Sequence, residues 1–273
     1  MKPKTWLHNL IITLVLVFLF LPILILIIFS FNQSEMNIVF TGFTLHWYLD
    51  LWQNTTLLTA FLNTLKIAAL STIISTIIGT LSAIGLKKFR VPAESFINKL
   101  LYIPIVIPEI VIGIALLAIY SLANIELGFW TILLAHIAFS IPFVITNIRS
   151  VLFAIPPSIE EAAEDLGAGP WRTFWHVTLP LIAPGIISGA ILAFTLSLDD
   201  VVISFFTAGP DTLTLPLYIY SIIKTGITPD VNALITLMLL ATTALLLLSA
   251  KFSENSKKHL KNLQKTAKKY LKS

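Results

Sequence analysis

Apolar residues gather in this chain into long runs, near 10–30, 60–86, 99–121, 128–148, 179–203 and 232–250. Each run is close to the ~20 residues that a hydrocarbon core ~30 Å thick requires, so the pattern predicts six membrane-spanning helices. A further stretch, 213–227, is apolar but holds Pro216 and Lys224. It falls short of a span and is expected at the outer surface or as a re-entrant segment. No small-residue cleavage pattern follows the first run, which therefore reads as a retained helix rather than a signal peptide.

Composition agrees. Of 273 residues 56% are apolar and 12% charged, too little polar surface to cover a soluble globule of this size. No cysteine is present, which excludes structural disulfides and thiolate metal sites. The net charge of +4 matters less than where the charges lie. With six spans, the N-terminus, 87–99, 149–172 and the tail from Lys251 fall on one side and hold 16 of the 18 Lys and Arg. That side is expected to be cytoplasmic, with both termini inside. A seventh span at 213–227 would expel the eight positive charges of the tail. Lys66 lies ~31 Å before Lys87 along one helix, so its ammonium reaches the outer interface by snorkelling. The lysines of 257–272 suit solvent or anionic lipid headgroups.

The loop between the fourth and fifth spans is the most informative. It reads Ile155-Pro156-Pro157-Ser158-Ile159-Glu160-Glu161-Ala162-Ala163-Glu164-Asp165-Leu166-Gly167 and ends in Val177-Thr178-Leu179-Pro180. Two short helices are expected. Ser158 and Glu161 have capping-box spacing, Ala162 and Ala163 favour helix, Gly167 suits a left-handed terminus, and Pro170 fits the first turn of the second helix. On the residues alone this is either a slim capped helix that enters a groove on another protein or a plain surface loop.

Glu161-Ala162-Ala163, three residues, Gly167, nine residues and Val177-Thr178-Leu179-Pro180 resemble the EAA loop of ABC-importer permeases. The resemblance implies an all-α membrane protein of the type I (MetI-like) permease fold. It assigns Glu161, Ala162, Ala163 and Gly167 to docking in a cleft of a cytoplasmic ATPase. It divides the chain into an N-terminal helix and outer loop (1–57), a permease core (58–250) with the EAA loop at 150–178, and a basic cytoplasmic tail (251–273). No Gly-x-x-x-x-Gly-Lys-Ser/Thr loop, His-Glu-x-x-His zinc motif or Gly-x-Ser-x-Gly elbow occurs. The expectation is therefore a non-catalytic subunit without a bound metal, whose ATP and Mg are handled by a separate chain.

Candidate substrate residues are acidic. Glu109 lies ~15 Å along a helix from Lys99, near mid-membrane, where a carboxylate costs about 2.5–3.5 kcal/mol and needs a partner or a wet cavity. It either serves a pathway or bridges helix breaks at Pro104 and Pro108. Asp199 and Asp200 come ~28 Å beyond Pro180 at the outer end of the fifth span. Phe205, Phe206, Asp211 and Asp230 follow, the last two expected as solvated loop acids. Carboxylates pair with ammonium groups and aromatic faces accept cations and methylenes, so a flexible polycation fits this mouth better than an anion or a sugar.

The stretch 194–206 with Gly209-Pro210, together with 127–130 and 229–234, is similar to the polyamine (spermidine and putrescine) branch of these permeases. Glu109 stands where that branch suggests Asp. The resemblance implies an inner-membrane complex of an ATPase dimer, this permease, a homologous second permease and a periplasmic or lipid-anchored polyamine-binding protein, without nucleic acid. Import of another solute, or an ion-driven carrier using Glu109 as its proton site, are the competing expectations.

Overall fold

The computed structural model describes residues 5–35, 38–89, 92, 94–222, 229–244 and 247. The expected basic tail lies outside them. The named elements are α1 (Thr5–Phe29), α2 (His46–Asp50), α3 (Thr55–Lys88), α4 (Glu94–Val106), α5 (Glu109–Leu122), α6 (Phe129–Leu152), α7 (Ser158–Asp165) and α8 (Pro170–Thr173). A π turn over Phe174–Thr178 follows, then α9 (Leu179–Leu198), α10 (Val202–Thr207) and α11 (Leu215–Ile222). A last apolar helix, α12, covers Pro229–Ala244. Apart from one isolated bridge between Asn32 and Phe43, the described residues form no β-structure.

Among the described residues four helices are long and apolar enough to cross a membrane: α1, α3, α6 and the rod Pro170–Leu198. The third expected span is not straight. It is α4 and α5, bent by 108° at Ile107-Pro108, and makes a fifth crossing if the pair is one span. Pro104 sits inside α4 without ending it, whereas Pro108 lies in the extended conformation that Pro favours just before α5. The sixth expected span is described only to residue 244, as the 16 residues of α12. At its C-terminal end the fifth span stops at Leu198 rather than 203, and 202–207 form the separate α10. Of the stretch 213–227, the described part holds α11, 8 residues long, and residues 223–227 lie outside the described residues.

The chain divides into two compact units, Met1–Thr59 with Tyr218–Thr242 and Ala60–Leu217 with Thr243–Ser273. In the first, α1 exposes apolar side chains on all sides from Leu10 to Ile28, the character of a helix whose solvent is lipid. The turn after it is tied by Asn32, which donates to the Val39 carbonyl at 2.9 Å and accepts from the Thr41 N–H at 2.8 Å. Asn54 caps α3 by accepting the Leu57 N–H at 3.0 Å. At the other end, Lys87 and Lys88 oppose the helix dipole.

In the second unit α6 and α9 form the most extensive helix pair. Lipid tails are as apolar as Leu, so this contact rests on close packing rather than on escape from water. Gly185 and Gly189 supply it: a Cβ at Gly185 would lie 3.1 Å from the Ile148 Cα, and one at Gly189 would lie 3.3 Å from the Val144 Cα. Ala83, Ile145, Ile148, Leu152, Ile182 and Ala193 close the core around them.

Candidate functional site

The loop at 150–178 ends α7 through its own backbone. Gly167 has φ +84°, its N–H donates to the Glu164 carbonyl at 2.9 Å, and the Ala168 N–H donates to the Ala163 carbonyl at 3.0 Å. These two bonds are the Schellman closure, and glycine takes the left-handed residue without a Cβ penalty. Pro170 opens the next helix after Gly169, as expected.

Two local expectations fail. Ser158 is the first helical residue, and Pro157 holds the cap position, so no capping box forms. The pair Pro156-Pro157 leaves no side-chain acceptor there, and Glu160 and Glu161 in the first turn answer the helix dipole instead. The second helix is not short: it continues through the π turn into α9 as one rod. Glu160 is drawn to that turn, where its Oε1 accepts the Thr178 hydroxyl at 2.7 Å. Glu161, Ala162 and Gly167 are exposed, and Ala163 is half-buried. The surface around them keeps Leu166, Trp171 and Trp175 exposed as well.

At the far end of the rod the three acidic candidates meet. Glu109 opens α5 and is exposed, and the charges of Asp199 and Asp200 act upon it. Asp199 is the exposed C-cap residue of α9. Asp200 is buried, 8% exposed, and accepts the N–H groups of Ile203 at 3.2 Å and Ser204 at 2.7 Å. α10 then packs on α5, with the Phe206 ring against Gly113, where a Cβ would come within 2.6 Å. Gly113 is one turn beyond Glu109 on the same face. Phe205 and Phe206 lie edge to face at 5.3 Å. Asp230 is not a simple solvated acid: it accepts from Asn54 Nδ2 at 3.3 Å. With Glu35, Trp47, Asp50 and Tyr218 it lines a cavity of about 490 Å³ in the first unit.

Sequence reasoning missed His136. It is 3% exposed on α6, with Nδ1 2.7 Å from Ser197 Oγ and Nε2 3.0 Å from Ser204 Oγ and 3.3 Å from Asp200 Oδ2. Ser197 in turn accepts from Ser71 Oγ at 3.1 Å. An ionisable side chain inside an apolar span is costly enough to mark a site, and that signal was present in the sequence.

This set of broken and continuous apolar helices, with the exposed helix α7 at one end, is the architecture of a polytopic membrane protein. The chain belongs to the family of binding-protein-dependent transport system inner membrane components, whose model matches residues 75–256, and it is an ABC-importer permease. Its relatives include the spermidine/putrescine transport system permease protein PotC of Haemophilus influenzae, 41% identical over 220 residues, 81% of this chain and 86% of that one. The putrescine transport system permease protein PotI of Escherichia coli is 40% identical over 217 residues, 77% of each chain. Among solved structures, a bacterial ABC transporter involved in import of the acidic polysaccharide alginate matches with a TM-score of 0.70 at 14% identity, over 92% of this chain and 98% of that one. The inward-facing methionine transporter MetNI matches at 0.60 and 17% identity, over 73% and 95%. At such identities the likeness shows the fold alone.

Proposed function

We propose that this permease forms half of a polyamine import pathway in the inner membrane, with spermidine or putrescine as the solute. What supports the reading is the acidity of Glu109, Asp199 and Asp200, brought near one another by the packing of α10 on α5, with Phe206 against Gly113. A fold that also serves an acidic polysaccharide importer sets no charge preference of its own. The preference lies in the side chains, and here they are carboxylates. In a cavity with low-dielectric walls their field is focused and draws ammonium groups. Phe205 and Phe206 add faces that accept a cation or the methylenes between two amines, at about 0.5–2 kcal/mol per contact. The acidic and aromatic cavity at Glu35, Trp47, Asp50, Tyr218 and Asp230 repeats that chemistry in the first unit. The PotC and PotI names of the relatives point the same way.

In this reading α7 lies on the cytoplasmic side, with both termini, and Glu161, Ala162, Ala163 and Gly167 dock it in one member of an ATPase dimer. ATP and Mg are used by that dimer and not by this chain. A homologous second permease supplies the other half of the pathway, and a polyamine-binding protein delivers solute from outside.

The test is radiolabelled spermidine uptake by the reconstituted complex carrying Glu109→Gln or Asp199→Asn, with binding-protein-stimulated ATPase activity measured in parallel. Uptake is expected to fall about tenfold, equivalent to ~1.4 kcal/mol of lost attraction, with stimulation retained. Uptake at the parent rate in both variants would overturn the acidic pathway.

A further inference from the structure

His136 and Asp200 are the buried imidazole and the buried carboxylate of the described residues. Their network crosses four helices: Ser71 on α3, His136 on α6, Ser197 on α9, and Ser204 on α10, whose first N–H groups Asp200 holds. In one proton arrangement Ser71 donates to Ser197, Ser197 donates to His136 Nδ1, and the His136 Nε2–H lies between Ser204 Oγ and Asp200 Oδ2.

Such a buried pair is a poor way to gain stability, because desolvation offsets most of the attraction and apolar residues of the same volume do as well. Its effect is on geometry. Asp200 accepts the N–H groups of Ile203 and Ser204 and faces His136, so its oxygens are occupied within the protein. Fixing Asp200 inward turns the adjacent Asp199 outward, and fixing α10 seats Phe206 on Gly113, one turn from Glu109.

We propose that His136 and Asp200 are a positioning pair that sets Asp199 and Glu109 for the substrate, and that Asp200 itself makes no substrate contact. This rests on the acidic-pathway reading and sharpens it.

A double-mutant cycle in the reconstituted complex tests it, reading spermidine KM and Vmax, stimulated ATPase activity and membrane abundance. His136→Leu fills the volume without a donor, and His136→Gln keeps an N–H for Asp200. At equal abundance His136→Leu should lower uptake about tenfold with ATPase stimulation retained, and His136→Gln should recover to within about threefold. In an Asp199→Asn, Glu109→Gln background, His136→Leu should add less than about twofold, because it acts through those two carboxylates. Parent-rate uptake by His136→Leu, or the same fold-loss in both backgrounds, overturns the positioning role. If His136→Leu does not accumulate, the cycle with Asp200→Asn decides by the same criteria. Parent-rate uptake by both Asp199→Asn and Glu109→Gln, each alone, is the separate outcome that sinks the acidic pathway beneath the proposal.

Discussion

The two ends of the rod Pro170–Leu198 are built in opposite ways. Near Pro170, α7 is exposed and closed by bonds between residues three and five apart, Gly167 to Glu164 and Ala168 to Ala163. Near Leu198, the turn into α10 is buried and closed by side chains 61 to 126 residues apart, His136 to Ser197 and Ser71 to Ser197. A locally closed helix holds its shape while a partner protein comes and goes. A turn closed over long range reports on the arrangement of every helix that contributes to it. The first suits docking, and the second suits a solute pathway that changes with the packing of the bundle.

The contrast has its largest test in sidedness, since it needs the two ends on opposite faces of the membrane. The chain is free of cysteine, and both Glu164 and Asp211 are exposed. In intact cells an impermeant thiol reagent should label a single cysteine at Asp211 and leave one at Glu164 unlabelled until the membrane is opened. The reverse pattern breaks the orientation. Next comes Gly167→Val. The space around Gly167 is open, so the penalty is backbone strain alone. About 1–3 kcal/mol corresponds to roughly five- to hundredfold in docking-competent α7, and uptake at equal abundance should fall accordingly. Gly167→Asn, which tolerates a positive φ, should keep most of it. A valine variant as active as the parent would mean that the left-handed closure does not govern coupling.

Smaller is Thr178→Val, which removes the hydroxyl that Glu160 accepts at 2.7 Å. A bond to a charged acceptor is worth about 1.5–3 kcal/mol when buried and less where Glu160 meets solvent, so ATP-dependent uptake should fall about threefold. The smallest is Ser158→Ala. Its side chain caps nothing in α7, so uptake and abundance should stay within about twofold, as for a surface change below ~0.5 kcal/mol. A tenfold loss would restore the capping role.

What the sequence revealed follows the same division. The apolar runs of α1, α3 and α6, the left-handed Gly167 and the helix start at Pro170 were all legible, because each depends on neighbours within one or two turns. So was the acidity of Glu109, Asp199 and Asp200. Their different fates were not. Asp199 and Asp200 are the same residue type, and the start of α10 together with the tertiary position of His136 holds the second buried while the first is exposed. The 108° bend of α4 and α5 was announced by Pro108 as a break but not as an angle, because the angle is set by what α5 packs upon, namely α10. Ser158 misled because the capping pattern fits one register only, and Pro157 shifts the helix by a residue.

The continuous rod carries a mechanical meaning. Its 29 residues measure ~43 Å at 1.5 Å per residue, with α7 bonded near one end through Glu160 and Thr178 and Asp199 at the other. A stiff arm of that length turns a tilt of about 10° at its base into a travel of roughly 7 Å at its tip. The π turn at Phe174–Thr178 lies at its base, where Thr178 bonds Glu160 of α7. Leverage of this kind would turn a small stroke at α7 into a large displacement at Asp199, with the load borne by backbone hydrogen bonds rather than by any single side chain.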